Sequence, residues 1–148
     1  MNHSSYESII IGDNNSAYEF FSIGPKGVIL KRIYFSPTES TELVNLSFGD
    51  ININGDIDDY SISNNGDMYK IIATICQTIE VFLQKFPNRK IYFKGSTKER
   101  TRLYRIVISK YIKEFELHFN IWVEQEDQFI PFHPNIEAQG FVITSKKY

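Results

Sequence analysis

Apolar residues pass from strand spacing to helical spacing near Met68, and that change restricts the folds open to this chain. From Tyr18 to Phe48 they fall in short runs rich in β-branched and aromatic side chains: Tyr18 to Ile23, Val28 to Phe35 and Leu43 to Phe48. Gly24-Pro25-Lys26-Gly27 separates the first two runs, with a proline that presets φ and glycines that accept positive φ. These two runs therefore predict a β-hairpin. In the third run Val44, Leu46 and Phe48 share one face. From Met68 onward the apolar positions are Ile72, Ile75, Ile79, Leu83 and Phe86, with Ile71 and Phe82 beside them, which is helical spacing. Asp67 is placed to cap that helix, and Pro87-Asn88 ends it.

Beyond the helix, Ile91-Tyr92-Phe93 predicts a short strand, and Gly95-Ser96-Thr97 opens a second helix that runs to Phe115. Leu117, Phe119, Ile121 and Val123 alternate with polar neighbours, as in a half-buried strand. On that strand Trp122 and His118 share a face, which suits ligand stacking or packing under the tail. A last strand is expected at Phe141 to Thr144. The order β-β-β-α-β-α-β, with one further strand, implies an α+β fold: a mixed or mostly antiparallel sheet packed against two long helices. The Ile91 strand, second helix and Leu117 strand suit a parallel crossover. No repeat or linker divides the sequence, so residues 1–148 are expected to form a single domain.

Composition excludes several classes. With 42% hydrophobic and 23% charged residues the chain is too apolar for intrinsic disorder. A lone cysteine, Cys76, lies near the apolar stripe as a small core residue, and it rules out a disulfide scaffold or a multi-cysteine zinc module. His3, His118 and His133 show no metal-ligand spacing, and no cofactor motif is legible. No apolar run approaches the length of a membrane span, and Met1 to Tyr6 lacks the layout of a signal peptide. A cytoplasmic protein without membrane contact is expected.

The net charge of −2 hides a segregation. Residues 1–80 carry 11 acids and 4 bases, residues 81–113 carry 10 bases and only Glu99 as an acid, and residues 114–148 carry 6 acids and 2 bases. A basic block between acidic flanks provides either a surface for anions or an internal counterweight to the acidic parts of the same fold. Inside it, Lys94-Gly95-Ser96-Thr97-Lys98-Glu99-Arg100-Thr101-Arg102-Leu103-Tyr104 carries the most chemistry. A strand ends at Gly95, and Ser96 or Thr97 caps a helix whose first N–H groups lack internal partners and attract anions. Arg100 and Arg102 add guanidinium groups suited to bidentate contact with phosphate. The alternative is a capped helix whose arginines meet acids of the same chain. Helical geometry puts Arg100 on the buried side with Tyr104, and Arg102, Arg105 and Lys113 on the outer side.

Two acidic stretches complete the candidates. Asp50, Asn52, Asn54, Gly55, Asp56 and Ile57 follow the opening positions of a calcium loop, but Ser61 stands where the bidentate glutamate belongs. A polar, turn-rich connection explains the same residues, and no metal is assigned. Further on, Asp58-Asp59 and Ser63-Asn64-Asn65-Gly66-Asp67 lead into the first helix. Their close carboxylates suit either acid–base work or an internal pairing with Arg100.

Taken together, Phe48-Gly49-Asp50, the segment from Asp58 to Asp67, Lys70-Ile71-Ile72-Ala73-Thr74, and Gly95-Ser96-Thr97 with Arg100-Thr101-Arg102-Leu103-Tyr104 resemble a bacterial family of small proteins known only as a domain of unknown function. The resemblance runs from the N-terminal hairpin to the Trp122 strand. It implies no activity, but it implies that the acidic loop and the Gly-Ser-Thr helix start belong to one design. The functional expectation is a binding module for a phosphate-bearing ligand, a small molecule or a nucleic-acid backbone. Its residues would be Gly95, Ser96, Thr97, Arg100, Arg102, Tyr104, Asp59, Asn65 and Asp67. The alternatives are an antitoxin- or immunity-like protein partner, and an enzyme acting on a phosphate ester with Asp59 or Asp67 opposite Arg100.

Overall fold

A computed structural model of the chain describes residues 5–11, 15–58 and 65–146. They are α+β, with strands that are mostly antiparallel and three helices. Among them, no helix is long and apolar enough to cross a membrane. The chain divides into two compact units, one of residues 2–36 and 46–85 and the other of residues 37–45 and 86–148.

In the first unit, β1 (Ile9–Ile11) pairs antiparallel with β2 (Ala17–Gly24), which forms a hairpin with β3 (Gly27–Pro37). Gly24 opposes Gly27, so Pro25 and Lys26 alone make the turn, as the sequence predicts. Strand alternation then sorts the side chains. Tyr18, Phe20 and Ser22 of β2, and Lys31, Ile33 and Phe35 of β3, are buried. The strand β4 (Leu43–Ile51) turns back into β5 (Ile57–Asp58), so the calcium-like stretch is a small hairpin. Asn52 closes that hairpin by accepting N–H groups of Asn54 and Asp56 on its side-chain oxygen. Asp50 forms an ion pair with Lys31, whose ammonium also lies over the Phe48 ring. Lys31 is 4% exposed, so this partner is what makes a charge tolerable there.

The helix α1 (Met68–Lys85) covers this unit's core with Ala73, Thr74, Thr78, Ile79, Phe82 and Leu83. Ile79, Phe82 and Leu83 of the expected stripe are buried and Met68 at its start is exposed, while Ala73 and two threonines widen it. The threonine hydroxyls donate to carbonyls one turn back, Thr74 to Lys70 and Thr78 to Thr74, and the Thr74 hydroxyl also accepts the Tyr6 N–H, so both are satisfied where they are buried. Phe82 stacks on Phe35 at 4.2 Å.

The second unit begins with the opening residues of β4, which run parallel to β6 (Lys90–Phe93) with Val44 beside Ile91. Two helices follow, α2 (Lys98–Lys110) and α3 (Ile112–His118), then the hairpin β7 (Phe119–Gln125) and β8 (Gln128–Pro131), and finally β9 (Gly140–Ser145). β9 lies between β6 and β7, antiparallel to both. The expected parallel pair is therefore parallel in direction but separated by the C-terminal strand. Ile91, Ile121, Val123, Phe141 and Ile143 form the buried face, with Ile108 and Phe115 from the helices.

Two further expectations are corrected here. The single second helix breaks at Tyr111, whose φ of −112° and ψ of 18° are not helical, so two long helices become one long and two shorter ones. Leu117 and His118 belong to the end of α3 rather than to the next strand, and Leu117 is exposed. His118 therefore shares no strand face with Trp122. The strand order also gains β1, β5 and β8.

Candidate functional site

The start of α2 is built from Gly95 and two threonines. A Cβ on Gly95 would lie 2.5 Å from both the Arg100 Cβ and the Thr101 nitrogen, so a side chain is excluded there. Glycine serves here for close approach, since Gly95 is not among the residues with positive φ. Its N–H donates to the Thr101 hydroxyl at 3.0 Å, and that hydroxyl donates to the Thr97 carbonyl. Thr97 is extended and its hydroxyl accepts the Arg100 N–H, so Thr97 rather than Ser96 is the cap. This uses the N–H groups of Gly95 and Arg100. Those of Lys98 and Glu99, in the first turn, have no carbonyl to reach within the helix.

Cations surround this turn. Lys94, Lys98 and Arg102 are exposed, while Arg100 and Tyr104 are half-buried. The Arg100 stem lies against Gly95, and the Tyr104 ring meets Phe93 edge-on at 6.0 Å between centroids. Arg100 on the packed side and Arg102 outside match the helical reading. Thr101, which composition and charge do not mark, is buried, and its hydroxyl ties the glycine turn to the cap. The signal for it was positional: it stands one turn after Thr97, where a hydroxyl returns to the preceding turn's carbonyl.

The remaining candidates lie in the first unit, apart from Asp59, which falls outside the described residues. Asn65 is 2% exposed and holds the Pro25-Lys26 turn: its oxygen accepts the Lys26 N–H at 2.7 Å, and its amide donates to the Gly27 carbonyl at 3.0 Å. Gly24 makes room for it, since a Cβ there would stand 1.9 Å from the Asn65 carbonyl oxygen. Asp67 accepts from the hydroxyls of Tyr6 and Ser22, both at 2.5 Å on Oδ2. Its buried Oδ1 has no hydrogen-bond partner among the described residues, so the side chain does not cap α1. The Tyr6 hydroxyl is held above its ordinary pKa, chiefly by burial and then by the hydrogen bond to Asp67. Asn65 and Asp67 thus come together on one hairpin, and Gly95 to Tyr104 come together at one helix start.

A pair with no sequence signal lies in the second unit. Tyr92 donates to Glu124 Oε1 at 2.6 Å, and both pack over Gly140, where a Cβ would stand 2.6 Å from the Tyr92 oxygen. Burial, then the hydrogen bond and charge of Glu124, push the Tyr92 pKa far up. The pair is 32 residues apart and forms only because β9 aligns β6 with β7.

Chemically, the α2 start carries exposed Lys94, Lys98 and Arg102, with the acidic Glu99 among them, on a turn held by Thr97 and Thr101, which suits holding an anion. The Asn65–Asp67 cluster is closed on its own hydroxyl and amide partners. Among curated proteins and among solved structures, none matches the chain. Residues 2–146 match the family of unknown function DUF6934, and the chain belongs to that family.

Proposed function

We propose that this protein is a binding module for a phosphate-bearing ligand, held at the opening turn of α2. The observation that supports the reading is the exposure of Lys94, Lys98 and Arg102 around a turn that Thr97 and Thr101 lock in place. A turn already rigid loses little entropy when an anion arrives. The anion would meet the N–H groups of Lys98 and Glu99 and the guanidinium of Arg102, with Ser96 at the rim. Arg100 and Tyr104 would shape the turn from beneath. Contacts of this kind are screened by salt, so binding would weaken steeply as ionic strength rises. A phosphorylated small molecule, a nucleotide and a nucleic-acid backbone share this chemistry. The enzyme alternative has less support, because Asp67 is committed to Tyr6 and Ser22.

Amide NMR titration with inorganic phosphate, a nucleoside triphosphate and a short single-stranded oligonucleotide tests the reading. Lys98 and Glu99 should move most, and Gly95 less, since its N–H is already bound. Lys98→Ala with Arg102→Ala should weaken the best binder at least about tenfold. Resonances of 95–102 that stay still with all three probes overturn it. Stoichiometric capture of a protein by the same basic turn would favour the partner reading instead.

A further inference from the structure

Among the described residues, the hairpin unit carries an apolar sheet face that is largely exposed, with the β4–β5 turn reaching it at Arg32 through the Gly55 carbonyl. Strand register puts Ile9 and Ile11 of β1, Phe21 and Ile23 of β2, and Val28, Leu30 and Tyr34 of β3 on the side opposite the buried Tyr18, Phe20, Ile33 and Phe35. Ile9, Ile23 and Val28 are 65%, 62% and 66% exposed, and Phe21 is 51% exposed. At these exposures the aliphatic and aromatic side chains of the face together present on the order of 600 Å² of apolar surface. That is at the upper limit of what a lone soluble domain leaves open. Charge on the face is already cancelled: Arg32 donates to Glu19 Oε2 at 2.8 and 2.5 Å and to the Gly55 carbonyl at 3.0 Å. The pair can be buried without stranding a charge.

We propose that this face is the contact between two copies of the chain, packed sheet against sheet about a two-fold axis. Three observations favour a second copy over a different partner. The Glu19–Arg32 pair leaves the face no net charge with which to select a charged protein. Apolar rows flank that pair on both sides, with Ile11, Ala17 and Tyr34 on one and Phe21, Leu30, Ile23 and Val28 on the other, so the face is complementary to itself under a two-fold rotation. Two such faces would together cover about 1,200 Å², the lower end of a standard interface, with Glu19 and Arg32, 16% and 28% exposed, adding little. Two such faces would pack about 10 Å apart, as in a β-sandwich.

Sedimentation of the full chain tests this. At about 100 µM the mass should be twice 17.3 kDa, and dilution should dissociate it. Ile23→Lys with Val28→Lys should raise the dimer Kd at least about 100-fold at unchanged far-ultraviolet circular dichroism. Leu117→Lys, an exposed position in the other unit, should leave the Kd alone. Should the lysine variant unfold, methyl NMR of the wild type decides: concentration-dependent shifts must centre on Ile9, Ile11, Ile23 and Val28. A mass of 17.3 kDa at about 100 µM overturns the proposal. So do shifts centred elsewhere, a dimer indifferent to the lysines, or a monomer that seats a different protein on this face.

Discussion

Asn65-Gly66-Asp67 and Gly95-Ser96-Thr97 each lead the chain out of a turn into a helix, and their polar groups go to different places. At α1 both side chains leave the helix: Asn65 grips the hairpin turn, and Asp67 takes the hydroxyls of Tyr6 and Ser22. At α2 the polar groups stay local, with Thr97 capping its own helix and Thr101 tying Gly95 to it. The first start is bracing between distant segments of one unit. The second is a self-contained turn with cations left facing water. Similar residue types therefore predict a helix start but not its use; the use depends on whether a partner segment arrives to claim the side chains.

The sharpest way to break the comparison is to fill the space each glycine leaves. Gly24→Ala drives a methyl group onto the Asn65 backbone carbonyl, which cannot swing aside as a side chain would. The turn and Asn65 must part, with loss of the bonds to Lys26 and Gly27. Urea unfolding should show a loss of at least about 3 kcal/mol. Gly95→Ala meets Arg100 Cβ and the Thr101 nitrogen, contacts within a single turn that can open locally. Its loss should be smaller, about 1–3 kcal/mol. Equal losses would mean that the two starts are braced alike.

Next in size is the carboxylate. Asp67→Ala takes the acceptor from the fully buried Ser22 hydroxyl, which keeps the Asn65 amide, and leaves the Tyr6 hydroxyl with Ile23, for a loss of about 1–3 kcal/mol. Thr97→Ala removes only a local cap and should cost about 1 kcal/mol. Asp67→Asn keeps an acceptor and should recover part of the loss in the same unfolding experiment.

Much of this organisation was legible in the residues, and the exceptions have physical causes. Gly-Pro-Lys-Gly disclosed the β2–β3 hairpin because its turn chemistry is local. The β7–β8 hairpin stayed hidden because Glu126 and Asp127 make the turn at φ of 46° and 64°, where glycine or asparagine is the usual signal. Ile79, Phe82 and Leu83 mark the face of α1 in the sequence, but Thr74 and Thr78 count as polar until the helix, and for Thr74 also the Tyr6 N–H, satisfy their hydroxyls. Tyr111 carries no breaker signature, so the division into α2 and α3 could not be read. At the candidate site, the cap and the outward Arg102 followed from helical geometry. The partners of Asn65 and Asp67 depend on tertiary contacts across about forty to sixty residues, which no local pattern encodes.

Alkaline pH distinguishes the braces in each unit. Tyr6 leans on Asp67 in the first, and Tyr92 on Glu124 in the second; both pKa values are raised above the ordinary 10.0, first by burial and then by the carboxylate. A tyrosine whose folded pKa exceeds its unfolded value contributes stability that is whole below the unfolded pKa. That stability is lost as pH rises through the folded one. Ultraviolet titration should therefore show Tyr6 and Tyr92 ionising later in the folded chain than in urea. The larger shift belongs to Tyr92, so Tyr92→Phe should flatten the alkaline fall in stability more than Tyr6→Phe does.

The smallest expected effect is the one that bears on function. Lys98 and Arg102 are exposed, so Lys98→Ala and Arg102→Ala should each change unfolding stability by no more than about 0.5 kcal/mol. Removing a cation from a crowded basic turn should even relieve some repulsion, most visibly at low salt. Added phosphate should raise the thermal midpoint of the wild type, because a ligand that binds only the folded state stabilises it by mass action. The double variant should lose that rise while keeping its own midpoint. A midpoint that falls in both variants without phosphate would instead mean that these cations brace the fold, as Asn65 and Asp67 do at the other helix.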